Sequence, residues 1–244
     1  LVLDKIFPDG VRIPKMFHDT NIIQLPTVKT HVFTTITGAM KNAFGGLLSE
    51  RRHWTHASIH ETLVDLLTIQ QDIHSGLFAV MDGTFAGDGP GPRAMRVHEK
   101  DIILASADQV AIDAMSAKLQ GFDPMSIPFI RLAHERGLGV GDPREIELVG
   151  DDIAGQNWGF KVGYNSHSFL AWLAWYGPTK FLQKLVLRTP LVVIPTLIGE
   201  IEQDYMYWPF KYKAIAKNWR ETTRWGALFQ RYQKEGCLAA ETPA

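Results

Sequence analysis

The sequence predicts an α/β protein, a mixed or parallel sheet flanked by helices, followed by an aromatic-rich helical C-terminal segment. Short apolar runs bounded by glycine, proline or polar residues read as buried strands, among them "NIIQLP", "LFAVMD" and "DIILAS". They alternate with longer stretches whose apolar residues recur at helical period, the pattern that lays helices against a sheet. Past Gly150 the alternation stops. Trp, Tyr and Phe are then interleaved with Lys and Arg and cut by Pro178, Pro190, Pro195 and Pro209. The expected organisation is an α/β core over residues 1–150 and a helical, aromatic segment over 151–244.

In chain order, "LVLDKIF" and "VRIPKMF" flank the turn signal "PDG" and predict a hairpin. The apolar run Ile22, Ile23, Leu25 predicts a strand. Thr37 to Phe44 predicts a short helix with Thr35 or Thr37 as N-cap. A longer helix is expected from about Thr55 to Gln71, where Ile59, Leu63, Leu66 and Leu67 form one stripe and Gly76 lies beyond the end. Leu77–Asp82 reads as a buried parallel strand that opens into "GTFAGDGPGPR", too rich in glycine and proline for regular structure. "DIILAS" is a strand, and "ADQVAIDAMSAKLQ" a helix capped by Ser106 or Asp108 and closed by Gly121. "IPFIRLAHER" is a helix closed by Gly137, and "EIELVG" a last strand.

Composition narrows the function classes. The 244 residues hold 25 Lys+Arg against 26 Asp+Glu, so no basic face for nucleic acid is expected. A single cysteine, Cys237, excludes a disulfide framework and an in-chain cysteine-ligated iron–sulfur cluster or zinc site. No signal peptide is visible, and the longest apolar run, "LVVIPTLIG", falls short of the ~18–20 residues of a spanning helix and contains a proline. A reduced, cytoplasmic setting is the expectation. The chain begins with Leu1 rather than Met and enters directly into structured sequence, which reads as a fragment or a processed chain.

Three unusual stretches fall just after strands, where ligands of α/β sheets collect. In "PTVKTHVFTT", Lys29 and His31 lie at alternate positions and project the same way, with Lys41 and Asn42 on the short helix that follows. Together they suit an anion, or Lys41 suits a desolvated amine of lowered pKa. Spacing alone also fits solvated lysines and a hydrogen-bonded loop histidine. "GDGPGP" can present backbone N–H groups of Gly87 and Gly89 to a phosphate or carboxylate, although it matches neither a Walker loop nor a dinucleotide fingerprint. Asp82 and Asp88 are candidate metal ligands or acid–base groups, and Asp82 equally suits a loop cap. After "ILAS", Asp113 sits among Ala111, Ala114 and Ala117, and is either exposed on the far side or a buried, functional acid.

His53, His56 and His60 share one face of the expected helix, and His56 and His60 are a candidate metal pair, though no HExxH pattern is present. A histidine on an apolar face is more often a satisfied core residue. "SFLAWLAWYGPTKFLQKLVLR" admits a membrane-interface role, a partner-binding helix, or packing on its own domain.

The block "LPTVKTHVFTTITGAMKNAFG" resembles the pattern of a family catalogued as domain of unknown function 362. "VMDGTFAGDGPGPR" and "ILASADQVAIDAMSAKLQGFDPMSIPFIRLAHERGLG" resemble its next two blocks in the same order, over roughly Ile22 to Gly150. The resemblance puts the family's polar positions on Lys29, His31, Lys41, Asn42, Asp82, Gly89, Pro90, Asp108 and Asp113. It implies a setting among anaerobic redox proteins, with a ferredoxin-like iron–sulfur protein as a partner. The family's N-terminal K-P-N region has no counterpart before Leu1, and no cysteine-rich appendage is present.

The expectation is a site for a small anionic molecule or a metal ion. His31, Lys41 and Asp82 would be the catalytic groups, and Lys29, Asn42, Gly87, Asp88, Gly89 and Asp113 would hold the ligand, in redox or proton-transfer chemistry. The alternative is a non-catalytic subunit that docks an iron–sulfur or membrane partner through the C-terminal segment. A homo-oligomer is compatible with either.

Overall fold

A computed structural model of the chain describes residues 1–48, 50–91, 95–153, 155–182 and 189–235. Cys237 and Pro92 lie outside these residues. The described chain divides into two compact units, Leu1–Val192 and Val193–Ala244.

The expected N-terminal hairpin is not formed. Val2–Ile6 is a short helix, α1, and Lys15–Phe17 a single 3-10 turn. The physical reason lies 63 and 62 residues away: the buried carboxylate of Asp65 accepts the amides of Val2 and Leu3, satisfying N–H groups that a strand would have to pair elsewhere. Leu3, 2% exposed, fixes this turn in the core.

Five strands follow: β1 Asn21–Gln24, β2 Thr27–His31, β3 Thr35–Thr37, β4 Gly76–Asp88 and β5 Arg96–Ser106. They form one mixed sheet around β4. One edge of β4 pairs in parallel with β1, from Asn21↔Gly76 to Gln24↔Ala79, and then with β2 at Thr27↔Asp82 and Lys29↔Gly87. Its other edge pairs antiparallel with β5, and β3 folds back antiparallel on β2.

The glycine-rich run expected to be irregular is therefore strand as far as Asp88. Its glycines serve close approach. A Cβ on Gly83 would stand 2.4 Å from Ile102 Cγ2, and the register slips between Gly83 and Phe85, as at a bulge. "EIELVG" is not a strand. Asp142 caps a 3-10 turn at Pro143–Glu145 by accepting the Arg144 amide and guanidinium, and Val149 is 92% exposed.

Helices α2 Ala39–Leu47, α3 Ile59–Ile73, α4 Gln109–Gln120 and α5 Pro128–Glu135 pack on one face of the sheet. A 3-10 helix, Glu50–Ser58, precedes α3. Met40, Leu63, Leu66, Leu67, Val110 and Phe129 are buried in the main core, and Val28, Ala79, Met81 and Ile112 form a second cluster between sheet and α4. The opposite face of the sheet keeps Ile23 63% and Ile103 68% exposed. Asp108 caps α4 through the amides of Val110 and Ala111, and Gly121 ends it in the left-handed conformation, as the sequence indicates. Helix α6, Ser166–Trp175, belongs to the first unit and begins with an Asn165–Ser168 capping box.

The second unit contains α7 Val193–Ile201, a wide-turned π-helix Glu202–Tyr212 that includes Pro209, α8 Lys213–Thr222 and α9 Arg224–Glu235. Among the described residues no helix is long and apolar enough to cross a membrane.

Candidate functional site

The site is built where β2 turns into β3 and β3 runs into α2. In β2, Val28 and Thr30 are fully buried, so Lys29 and His31 project from the other side of the strand, opposite Thr37 and Thr35 of β3. The turn between them is tight. His31 Nδ1 accepts the amides of Phe33 at 3.2 Å and Thr34 at 3.4 Å, and Thr34 Oγ1 donates to the Ile36 carbonyl at 2.8 Å. Thr35 is held at φ 65°, a conformation a β-branched residue rarely adopts, so local strain is stored beside the cluster.

An Nδ1 that accepts two amides carries no proton. Neutral His31 therefore holds its proton on Nε2 and is a donor there. Burial lowers its pKa to about 2, with the charges of Lys41, His56, Lys29 and His60 adding in the same direction. Lys41 is the third residue of α2. Burial, then Lys29 and Arg52, lower its amine to about 8, and its Nζ lies 5.5 Å from the centre of the Phe44 ring. Neither Lys29 nor Lys41 forms an ion pair with a described residue.

Aromatic rings close around these groups. His56 donates from Nδ1 to the His53 carbonyl at 3.2 Å and stacks on Trp175 at 4.6 Å, with Phe33 and Phe44 edge-on. Burial is the main cause that lowers its pKa to about 4. Phe33 also meets His31 and Tyr176, and the Tyr176 hydroxyl donates to the His56 carbonyl. Three buried polar atoms in this region have no hydrogen-bond partner among the described residues: Thr37 Oγ1, His60 Nδ1 and Trp175 Nε1. Such atoms are costly to leave unpaired and call for a ligand or water.

The remaining candidate residues are engaged elsewhere. Asn42 donates to Gln24 at 2.6 Å, and Gln24 to Gln70 at 2.8 Å, so Asn42 ties α2 to β1 and α3. Asp113 is buried and functions within the fold. Its two oxygens accept the Ala39 and Met40 amides at 2.6 and 3.1 Å, capping α2 in place of the threonines expected from the sequence. The actual N-cap, Gly38, leaves the room: a Cβ there would stand 2.1 Å from Asp113 Oδ1. Burial raises the Asp113 pKa to about 7, with Asp108 adding, against the pull of the two amides.

Asp82 is exposed, opposite Thr27 on the face that carries Lys29, and its Oδ1 accepts the Thr84 amide at 2.8 Å. Gly87 is the register partner of Lys29, so Asp88, one residue on, points to the opposite face. There it is 3% exposed and accepts from Arg96 Nε and Nη2, His98 Nε2 and the Lys161 amide. Burial opposes ionisation of Asp88, and these donors overcome it, holding the carboxyl below its usual range. The loop after it is anchored by Gly89, at φ 91°, whose amide donates to the Lys161 carbonyl. The single cleft expected from the three loops is thus split by the sheet. Lys29, His31 and Lys41 come together, and Asp88 does not join them.

Among the described residues no group of three His, Cys, Asp or Glu is placed to hold a metal ion. His56 and His60 both lie near His31, but no third ligand accompanies them.

Residues 4–118 match the model of a family described as Domain of unknown function (DUF362). Over that stretch the α/β portion of this chain is similar to the DUF362 family. The matched stretch holds the whole sheet and the cluster of Lys29, His31, Lys41, His56 and His60, whereas Trp175 and Tyr176 lie beyond it. The chain is also 28% identical over 148 residues to the "Thylakoid-associated protein sll1697" of Synechocystis sp. (strain ATCC 27184 / PCC 6803 / Kazusa), covering 57% of this chain and 44% of the relative. It therefore spans less than half the length of that relative. No solved structure matches.

Trp175, Tyr176 and Phe33 were not legible as site residues beside the DUF362 blocks. Tyr176 reaches a carbonyl 120 positions earlier in the chain, and no local spacing announces that contact.

Proposed function

We propose that this α/β portion binds a small oxyanion, a carboxylate or a phosphate, between Lys29, Lys41 and His31, and that Lys41 serves there as the acid–base group of a proton-transfer reaction. One observation carries the reading: two ammonium groups and a neutral histidine N–H are gathered without a carboxylate partner among the described residues, and the charge of Lys29 adds to burial in lowering the proton affinity of both Lys41 and His31. Unrelieved like charge costs stability, and a bound anion reverses that cost. The donors suit an oxyanion, because Lys29, Lys41 and His31 Nε2 all supply N–H groups.

The division of roles differs from that expected of the residue types. With its pKa near 2, His31 cannot act as a base at neutral pH and serves as a neutral donor to developing negative charge. Lys41, near 8, can give and take a proton close to neutrality. Asp82, on the same face but bonded to its own loop, is left the part of a solvent-side proton acceptor.

Isothermal titration with phosphate, acetate and a series of di- and hydroxy-carboxylates tests the reading. Saturable binding of at least one of these by the wild type, abolished in Lys29→Met and in Lys41→Met, is the expected result. Binding of none, or equal binding by both variants, would overturn it.

A further inference from the structure

The described residues of the second unit form no buried core. Among its described residues only Gly226 is buried, while Val193, Tyr205, Met206 and Phe210 are 62%, 73%, 60% and 85% exposed. That much aromatic and aliphatic surface exceeds the scatter normal for a soluble domain, and marks an interaction face.

Its arrangement says what it faces. In α7 the exposed Val193, Ile194, Leu197, Ile198 and Ile201 recur at i, i+1, i+4, i+5 and i+8, which gathers them on one side of the helix. In α8, Lys213, Lys217 and Arg220 recur at i, i+4 and i+7 and form a cationic stripe. Between them, the π-helix exposes Tyr205, Trp208 and Phe210 next to Lys211. From Tyr205 to Arg220 there are four cations and no acidic side chain. Aliphatic stripe, aromatic residues and a cationic run are the three components of a segment lying in a bilayer interface, with aromatic rings at headgroup depth and cations against anionic lipid.

We infer that Val193–Arg220 docks this chain on the surface of a membrane rich in anionic lipid, with α7, Trp208 and Phe210 inserted and Lys211, Lys213, Lys217 and Arg220 against the headgroups. No helix crosses the bilayer in this arrangement, in keeping with the short apolar lengths of the described helices.

Vesicle flotation tests it on the full chain, with neutral phosphatidylcholine vesicles and with phosphatidylcholine mixed with anionic phosphatidylglycerol. The wild type should float with the mixed vesicles, and less so as salt is raised. Lys213→Gln combined with Lys217→Gln should lower partitioning onto anionic vesicles by roughly 10- to 30-fold and leave neutral vesicles unaffected. Trp208→Ser combined with Phe210→Ser should reduce partitioning onto both. All four positions lie on surface helices, and circular dichroism of each variant checks that it is folded. Failure of the wild type to float with anionic vesicles would overturn the inference and leave a protein as the occupant of this face. Flotation that neither pair of substitutions changes would overturn it as well.

Discussion

Replacing Lys41 by Met should make the unliganded protein more stable. The lysine amine is held near 8 against an ordinary value of 10.5, so below pH 8 the folded protein keeps a proton its surroundings disfavour. A gap of that size corresponds to at most about 3 kcal/mol, and partial solvation of the amine brings the expected gain to about 1–3 kcal/mol. Met keeps the apolar stem over Phe44 and drops the charge. In a chain of this length the gain appears as a rise of roughly 2–10 °C in Tm. The sign in pH follows from proton counting. Between about 8 and 10.5 the unfolded chain binds more protons than the folded one, so wild-type stability climbs with pH as the cost of the charged amine disappears. The advantage of Met is therefore full near neutrality and shrinks towards pH 10.5.

Thermal denaturation followed by circular dichroism, at neutral pH and at about pH 10, measures both effects. Adding an anion that binds the site should close the gap from the other direction, raising the Tm of the wild type by mass action and leaving Lys41→Met where it was. A Tm lowered by the substitution at neutral pH, or a difference that is the same at both pH values, would refute the claim that Lys41 is crowded by like charge.

Gly38→Ala should cost about 2–4 kcal/mol, because its Cβ would fall on the Asp113 carboxylate and break the α2 cap; urea denaturation reads this directly. Asp88→Asn should cost about 2–3 kcal/mol near neutrality, since a buried acceptor of Arg96 and His98 loses its charge. The Asp88 pKa is depressed, so its stabilisation is present above the usual carboxylate range and is lost as pH falls through the depressed value. The difference between wild type and Asp88→Asn should accordingly vanish in acid. Neither substitution touches the lysines, so anion affinity in the folded fraction should be unchanged for Asp88→Asn.

Elements whose signals are local were legible in the sequence. Helix α4 is bracketed by Asp108 and Gly121, and both act as caps through contacts within a few residues. The apolar runs of β1, β4 and β5 lie where hydrophobic periodicity puts strands. Where the sequence misled, a distant partner decided. Asp65 turned the first residues into a helix, and pairing with β5 extended β4 through glycines that read as a loop. The same holds for the site. The alternation that points Lys29 and His31 the same way is a property of one strand and was readable, whereas the coupling of His31 to His56 and the stacking of Trp175 on His56 need the fold.

Under the proposed function, Asp113 shows why the demand for an anion would belong to the lysines and not to the helix. From the sequence, Lys41 near the start of a helix suggests that an external anion is needed to offset the helix's own positive end. In the fold that end is already met, because the oxygens of Asp113, on α4, take the Ala39 and Met40 amides. The charges that lower the Lys41 pKa are those of Lys29 and Arg52, with burial the larger cause, and no carboxylate among the described residues pairs with Lys41. Helix capping and ligand demand are thus separate. Asp113→Asn should loosen α2 and cost stability without removing a donor to the ligand. Lys41→Met should remove the donor and add stability. A protein in which the two substitutions had the same effect on anion binding would have its site at the helix end, and the lysine cluster would be incidental.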